Sequence, residues 1–232
     1  MHEIGSLSRD LIQLNINLFS RDSARILTAS IPWFVATSFA DKPIQSNFYD
    51  DTCHKNKNQF NNGFAEFIET SAFISVIGVS SLVLFVKDPE LRMVSRIFAL
   101  GAFSGLAVKD IVKLFPFKAG LRPPNERFDC TQKYYTGFPS GHMFQATYLA
   151  TVLGFHYGPK VLYPLIVFNA AMFSVLVASN RHYVSQVIAG AAFGLMYGAA
   201  AHSLIDRRLN EKYGWGLSYD NGFLACKLEV LF

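Results

Sequence analysis

The sequence predicts an all-α fold, a six-transmembrane-helix bundle preceded by an N-terminal interfacial amphipathic helix. Three observations predict it. Apolar residue types make up 51% of the chain and charged types only 16%, where a soluble domain carries about 25% charged residues. The 22 Phe and 10 Tyr fit bilayer cores and the aromatic belts at their edges. Apolar runs then recur at 24–41, 65–86, 94–112, 143–158, 161–179 and 184–205, near the ~20 residues that a hydrocarbon core requires. A chain of this size cannot bury six such segments in a soluble interior. One membrane-embedded domain over 1–227, with its core at 65–205, follows.

Each element has its own signal. Ile4, Leu7, Leu11, Leu14 and Leu18 recur at three- and four-residue steps, so 3–20 is read as a helix lying on the membrane surface. No basic-then-apolar-then-small leader precedes it. The first apolar segment carries Pro32 and the fourth is short; the third has Arg96 near one end and Lys109, Asp110 and Lys113 near the other. The fifth and sixth are almost free of charge. In the sixth, Gly190, Ala191, Ala192, Gly194 and Gly198 allow close helix approach. Residues 228–232 read Leu-Glu-Val-Leu-Phe, the upstream half of a protease site used to remove purification tags, and are set apart as a tag remnant.

Six spans put both termini on one side and the loops 42–64, 113–142 and 180–183 on the other. Eleven Lys and Arg fall toward the termini and ten toward those loops. Discounting a basic cluster in 113–142 places the termini in the cytoplasm and the loops on the periplasmic face of a bacterial inner membrane. The net charge of +4 is spread thinly, without the basic stripe and interleaved aromatics of a nucleic-acid binder. Three cysteines show no metal-ligand spacing. Cys53 and Cys130 lie in loops on one side, where they either form a disulfide in an oxidising compartment or remain two free thiols.

The chemistry gathers in those same loops. The second holds Lys113, Lys118, Arg122-Pro123 and Arg127, then Pro139-Ser140-Gly141-His142; the third holds Arg181-His182. Two histidines at helix N-termini therefore share one membrane face with several cations. A helix N-terminus offers unpaired N–H groups and partial positive charge to an anion. Ser140 is placed to cap the helix or bond a phosphate oxygen, and Gly141 lets the backbone approach. Lys113 and Arg122 neutralise phosphoryl charge. His182 is assigned as nucleophile and His142 as general acid. Gln186, one turn after His182, can accept the ring N–H and hold the reactive tautomer. The remaining histidines lack such company: His156 and His202 fall toward the termini, and His2 and His54 stand alone.

At these residues the chain resembles the type-2 phosphatidic-acid phosphatase superfamily. Its signature is Lys and Arg-Pro about seven apart, then Pro-Ser-Gly-His, then Arg, a His six later and an Asp four after that. Pro139-Ser140-Gly141-His142 matches the middle part in full, and the order of parts spans roughly 65–205. The resemblance implies a metal-independent, cofactor-free, vanadate-sensitive phosphatase acting through a phosphohistidine on a membrane lipid phosphate. The sequence departs from the pattern in three places. Lys113 fits the first part if the loop has grown by two residues, and is preferred over Lys118. Leu176 occupies the family's Arg position, with Arg181 as the candidate replacement for its charge. Gln186 stands for the Asp, as in the glucose-6-phosphatase and dolichyl-pyrophosphatase branches. Two alternatives stay open: a lipid-to-lipid phosphotransferase, and a catalytically silent protein that binds lipid phosphate.

Overall fold

The computed structural model describes residues 2–50, 55–56, 62–124, 135–212, 215–220 and 223–228 of the 232. Seven α-helices carry the fold: α1 (His2–Asn17), α2 (Arg21–Gln45), α3 (Asn62–Phe85), α4 (Pro89–Lys113), α5 (Gly141–Tyr157), α6 (Pro159–Ala178) and α7 (Val184–Lys212). Two short antiparallel pairs accompany them, β1 (Tyr49–Asp50) with β2 (Lys55–Asn56), and β3 (Trp215–Asp220) with β4 (Phe223–Leu228). The six apolar segments thus become α2 to α7, and the amphipathic N-terminus becomes α1. Leu228 closes β4 opposite Trp215; the rest of the expected tag remnant, and both Cys53 and Cys130, lie outside the described residues.

Local signals set the helix ends. Ser20 caps α2 by accepting from the Ser23 N–H at 3.3 Å. Asp88 caps α4 by accepting from Leu91 at 2.7 Å, with Pro89 in the first turn where no N–H is needed. Gly158 joins α5 to α6 at φ 83°, a conformation that costs a side chain dearly. Asn180 takes the left-handed conformation at φ 55° just beyond α6. The Arg181 and His182 N–H groups then both turn back onto the Leu176 carbonyl, at 3.0 and 3.1 Å. That turn fixes where the second histidine points.

Among the described residues, four helices are long and apolar enough to cross a membrane: Gly63–Phe85, Pro89–Lys113, Pro159–Ala178 and Val184–Glu211. The chain is an integral membrane protein with four candidate spans among the described residues, where six were expected; α2 and α5 do not meet the same measure of length and hydropathy. α5 falls short because it has 17 residues, most of them buried between neighbouring helices. α2 is diluted by Arg21, Asp22, Arg25, Asp41 and Lys42, and carries Pro32 and Pro43.

α5 is the centre of the bundle, packed most extensively on α7 and touching α3, α4 and α6. Lipid tails are as apolar as the side chains, so close packing rather than water exclusion holds such helices together. Gly190, Gly194 and Gly198 on α7 provide it. A Cβ on Gly190 would meet the Ser140 carbonyl oxygen at 2.4 Å, and one on Gly194 the Phe144 carbonyl oxygen at 2.7 Å. On α4, Gly101 and Gly105 leave room for Tyr148 and Phe144, which stack at 5.8 Å, and the Tyr148 hydroxyl donates to the Phe98 carbonyl at 2.7 Å. The antiparallel order α3 to α7 brings five helix ends to one face: the start of α3, the end of α4, the start of α5, the end of α6 and the start of α7. The site lies there.

Candidate active site

His142 sits in the first turn of α5 and His182 in the turn between α6 and α7. Their ring centroids lie 6.5 Å apart with planes at 68°. Both line a cavity of about 490 Å³ together with Lys109, Lys113, Arg122, Gly141, Gln145, Glu66, Glu69, Thr70 and Phe73. Two imidazoles and three cations from four separate chain segments therefore border one volume. Their convergence suits an anion.

Gln186 organises the floor beneath His182. Its side-chain nitrogen donates to the Ala119 carbonyl at 2.9 Å and the Leu121 carbonyl at 2.6 Å, so its oxygen is the atom left to accept. That oxygen lies 3.3 Å from His182 Nδ1 and takes the Tyr183 N–H at 3.2 Å. His182 Nδ1 must therefore carry the proton, which leaves the lone pair on Nε2. The Gln186 main-chain oxygen also accepts from the Ser140 N–H at 3.1 Å. Gly137 bonds the Gly120 carbonyl at 2.9 Å, and a Cβ there would lie 2.5 Å from the Gln186 amide. One residue thus ties together the basic loop, the Pro-Ser-Gly-His turn and the second histidine.

His182 is 3% exposed. Burial pushes its imidazole well below the ordinary value, and the positive charges of Arg122, His142 and Lys113 push the same way against the Gln186 hydrogen bond. That direction favours the neutral ring, the form that can act as a nucleophile.

The expected phosphate ligands divide into two groups. Lys113, Arg122 and Gly141 border the cavity. Arg122 is aimed by its neighbours: Nε donates to Thr136 Oγ1 at 2.8 Å and Nη1 to the Arg181 carbonyl at 3.3 Å. Ser140 is fully buried and acts as the α5 cap, accepting from the Met143 N–H at 3.5 Å. Arg181 is 6% exposed and ion-paired with Glu69 on α3. Burial lowers its pKa. Leu176 lies in an apolar cluster with Met172, Val175, Val187 and Ala146.

Some lining residues were not expected. Lys109 lies one turn before Lys113 on α4; a Cβ on Gly141 would sit 3.2 Å from its ammonium, which also pairs with Asp110 at 2.8 Å. The four-residue step to Lys113 was the available signal. Glu66, Glu69, Thr70 and Phe73 form an i, i+3, i+4, i+7 stripe on α3 that the apolar background concealed. No group of three or more His, Cys, Asp or Glu placed to hold a metal ion occurs among the described residues.

The family model of the PAP2 superfamily matches residues 91–210, more than half of the chain and both histidines. The chain belongs to the PAP2 superfamily. Its fold can be set beside a solved structure described as the first transmembrane PAP2 type phosphatidylglycerolphosphate phosphatase from Bacillus subtilis. The two are 14% identical with a TM-score of 0.49, over 91% of this chain and 98% of that one. No curated protein matches the chain. Within this PAP2 chain the matched segment begins inside α4 and ends inside α7, so it holds Lys113, Arg122, the Pro-Ser-Gly-His turn and His182 but leaves the α3 wall outside.

Proposed function

We propose that this PAP2 protein is a membrane lipid phosphatase that hydrolyses a phosphomonoester or pyrophosphate of a lipid or polyprenyl substrate through a phosphohistidine. The observation that carries the reading is the pair of imidazoles bordering one cation-lined cavity, with the lone pair of the buried one on Nε2. Lys113 and Arg122, with the Gly141 backbone at the start of α5, hold the phosphoryl oxygens. His182 Nε2 forms the N–P bond as the P–O bond to the lipid breaks, and His142 gives its proton to the leaving oxygen. Water then attacks phosphorus, His142 takes its proton, and the N–P bond breaks to release phosphate. Ser140 contributes as the cap that orients α5, and Arg181 as the residue that anchors the His182 turn to Glu69.

The placement in the membrane belongs to the same proposal. α2 exposes Leu27, Ile31, Val35 and Phe39, and α5 is sheathed by its neighbours, so both are read as spans beside the four longer helices. The site then faces the periplasm of a bacterial inner membrane and the termini face the cytoplasm.

The test is phosphate release from lipid phosphates by protein in detergent with EDTA present. Vanadate should inhibit, and His182→Ala should lose at least ~10³-fold in kcat. Undiminished turnover in that variant removes the assignment. One feature favours the silent, lipid-phosphate-binding reading: Leu176 supplies no cation and Arg181 is engaged by Glu69. Retained binding of lipid phosphates with no turnover would select it.

A further inference from the structure

Gln145 borders the cavity one turn along α5 from His142, yet takes no part in the steps proposed for the histidines. It is 7% exposed, and its amide meets no hydrogen-bond partner among the described residues. The hydroxyls of Ser80 and Ser95 also go unpaired, but they are sealed inside the bundle. The Gln145 amide is not sealed, and its remaining surface lies on the cavity. An amide offers two donors and an oxygen acceptor. Leaving them all empty in so buried a place is costly, and a ligand is a natural source of partners. The position says which ligand atom. Gln145 follows Gly141 by four residues and His142 by three, so it shares their face of α5. Helical side chains lean toward the N-terminus, which carries the amide up across the bare Cα of Gly141. Lys109 lies beyond that Cα, since a Cβ there would sit 3.2 Å from its ammonium. Lys109 and Lys113 border the same cavity and attract the amide oxygen, so the NH2 end is left for an anion. Two expected donors are meanwhile engaged elsewhere, Ser140 as the α5 cap and Arg181 with Glu69.

We infer that Gln145 is a phosphate-binding residue, its amide NH2 donating to a phosphoryl oxygen of the substrate beside the Gly141 backbone. The inference deepens the phosphatase reading and rests on the anion site described there. Lys113 and Arg122 balance the charge of the phosphoryl group, and Gln145 fixes the direction of one oxygen. A fixed amide donor of this kind acts where negative charge develops on oxygen in the transition state. Donation to a charged acceptor inside a cavity shielded from water is worth about tenfold in affinity or more.

Vanadate, a phosphate analogue, tests it without reference to the lipid. Purified protein in detergent is titrated with vanadate, read as inhibition of phosphate release from phosphatidic acid and as a shift of the thermal midpoint. Gln145→Met keeps the length of the side chain and removes the donor. Half-saturating vanadate should rise about tenfold in that variant, and kcat/KM should fall by a similar factor. Its midpoint without vanadate should stay level or rise, because an unpaired buried amide is gone. Gln145→Glu keeps the size but exchanges the donor for negative charge, and should weaken vanadate further. A purely structural amide would give the reverse pattern in Gln145→Met, a lower midpoint with vanadate binding unmoved. Unchanged half-saturation in Gln145→Met, with phosphatidic acid cleaved as before, would overturn this inference alone. Vanadate that shifts the midpoint of the unaltered protein without any lipid turnover would sink the phosphatase reading, and the midpoint titration of Gln145→Met would then decide the ligand role. No vanadate effect of either kind would overturn both.

Discussion

The two ends of the bundle both concentrate charge, but they dispose of it differently. At the end away from the site, Asp10 of α1 is fully buried and bonded to Arg96 of α4 at 2.6 Å and Arg208 of α7 at 2.5 Å. A cavity of about 880 Å³ opens at that same end, larger than the one beside the histidines, and is lined by Asp22, Asp206 and Glu211 against Arg207. Its His202 is tied to Asp206 at 3.2 Å. At the other end three cations and two histidines border a smaller cavity. Charge that closes on itself holds helices together; cations and imidazoles gathered from four chain segments around an open volume are placed for an anion, even with Glu66 and Glu69 on the α3 wall. Size alone would have chosen the other end, away from the matched histidines.

That contrast can be broken first at Asp10. Removing its carboxylate leaves two arginines in a partly buried place without their common partner, a loss of about 3–5 kcal/mol. Asp10→Ala should therefore lower the thermal midpoint in detergent by several degrees, while turnover per folded molecule stays near that of the unaltered protein. A variant that melts unchanged would show that α1 is held instead by Leu14 and by the Asn17 amide, which donates to the Ala200 carbonyl at 3.2 Å. The same experiment separates the two ends functionally, because the site is a full span away.

Much of this was legible beforehand, and the reasons differ by element. The helices could be read because apolar runs of the right length have few alternatives, and the α7 glycines because a small residue every fourth position serves close packing. His142, His182 and Gln186 could be read because motif order and spacing place them at helix starts on one face. Asp10 could not: a lone Asp on an amphipathic helix reads as solvated, and its partners Arg96 and Arg208 are distant in sequence. Glu66 and Glu69 were hidden for a related reason. They open an apolar helix, where a charge reads as a boundary marker, and only the fold turns that boundary toward the cavity. Length and composition alone mark four of the six expected spans, because α5 is short and sheathed by its neighbours and α2 is polar at its ends.

A smaller effect is expected at position 176. The family pattern asks for Arg there, yet Leu176 is fully buried among apolar side chains. Leu176→Arg would place a guanidinium in that cluster, costing about 2–4 kcal/mol. It should lower the thermal midpoint without raising kcat. A gain in turnover would mean that the α6 end can turn its side chain into the cavity, and would reopen Arg181 as a phosphate ligand.

The smallest effect is the most informative about mechanism, since it acts at the joint between the basic loop and His182, the proposed nucleophile. Gln186→Glu keeps an oxygen for His182 Nδ1 but loses the donor to the Ala119 and Leu121 carbonyls. Two opposed oxygens should loosen the loop that carries Arg122, and kcat/KM should fall about tenfold. The pH profile separates this from simple misfolding. His182 must be neutral to attack, and its depressed pKa puts the acid limb of the unaltered protein below the ordinary 6.5 of histidine. Its folded-state value lies under the unfolded one, so the stability it contributes is present above 6.5 and is lost as pH falls below it. A carboxylate beside the ring favours the imidazolium and raises that pKa, so in Gln186→Glu the acid limb should move to higher pH. A limb that stays in place while the rate falls would mean that residue 186 holds the loop alone and does not touch the attacking imidazole.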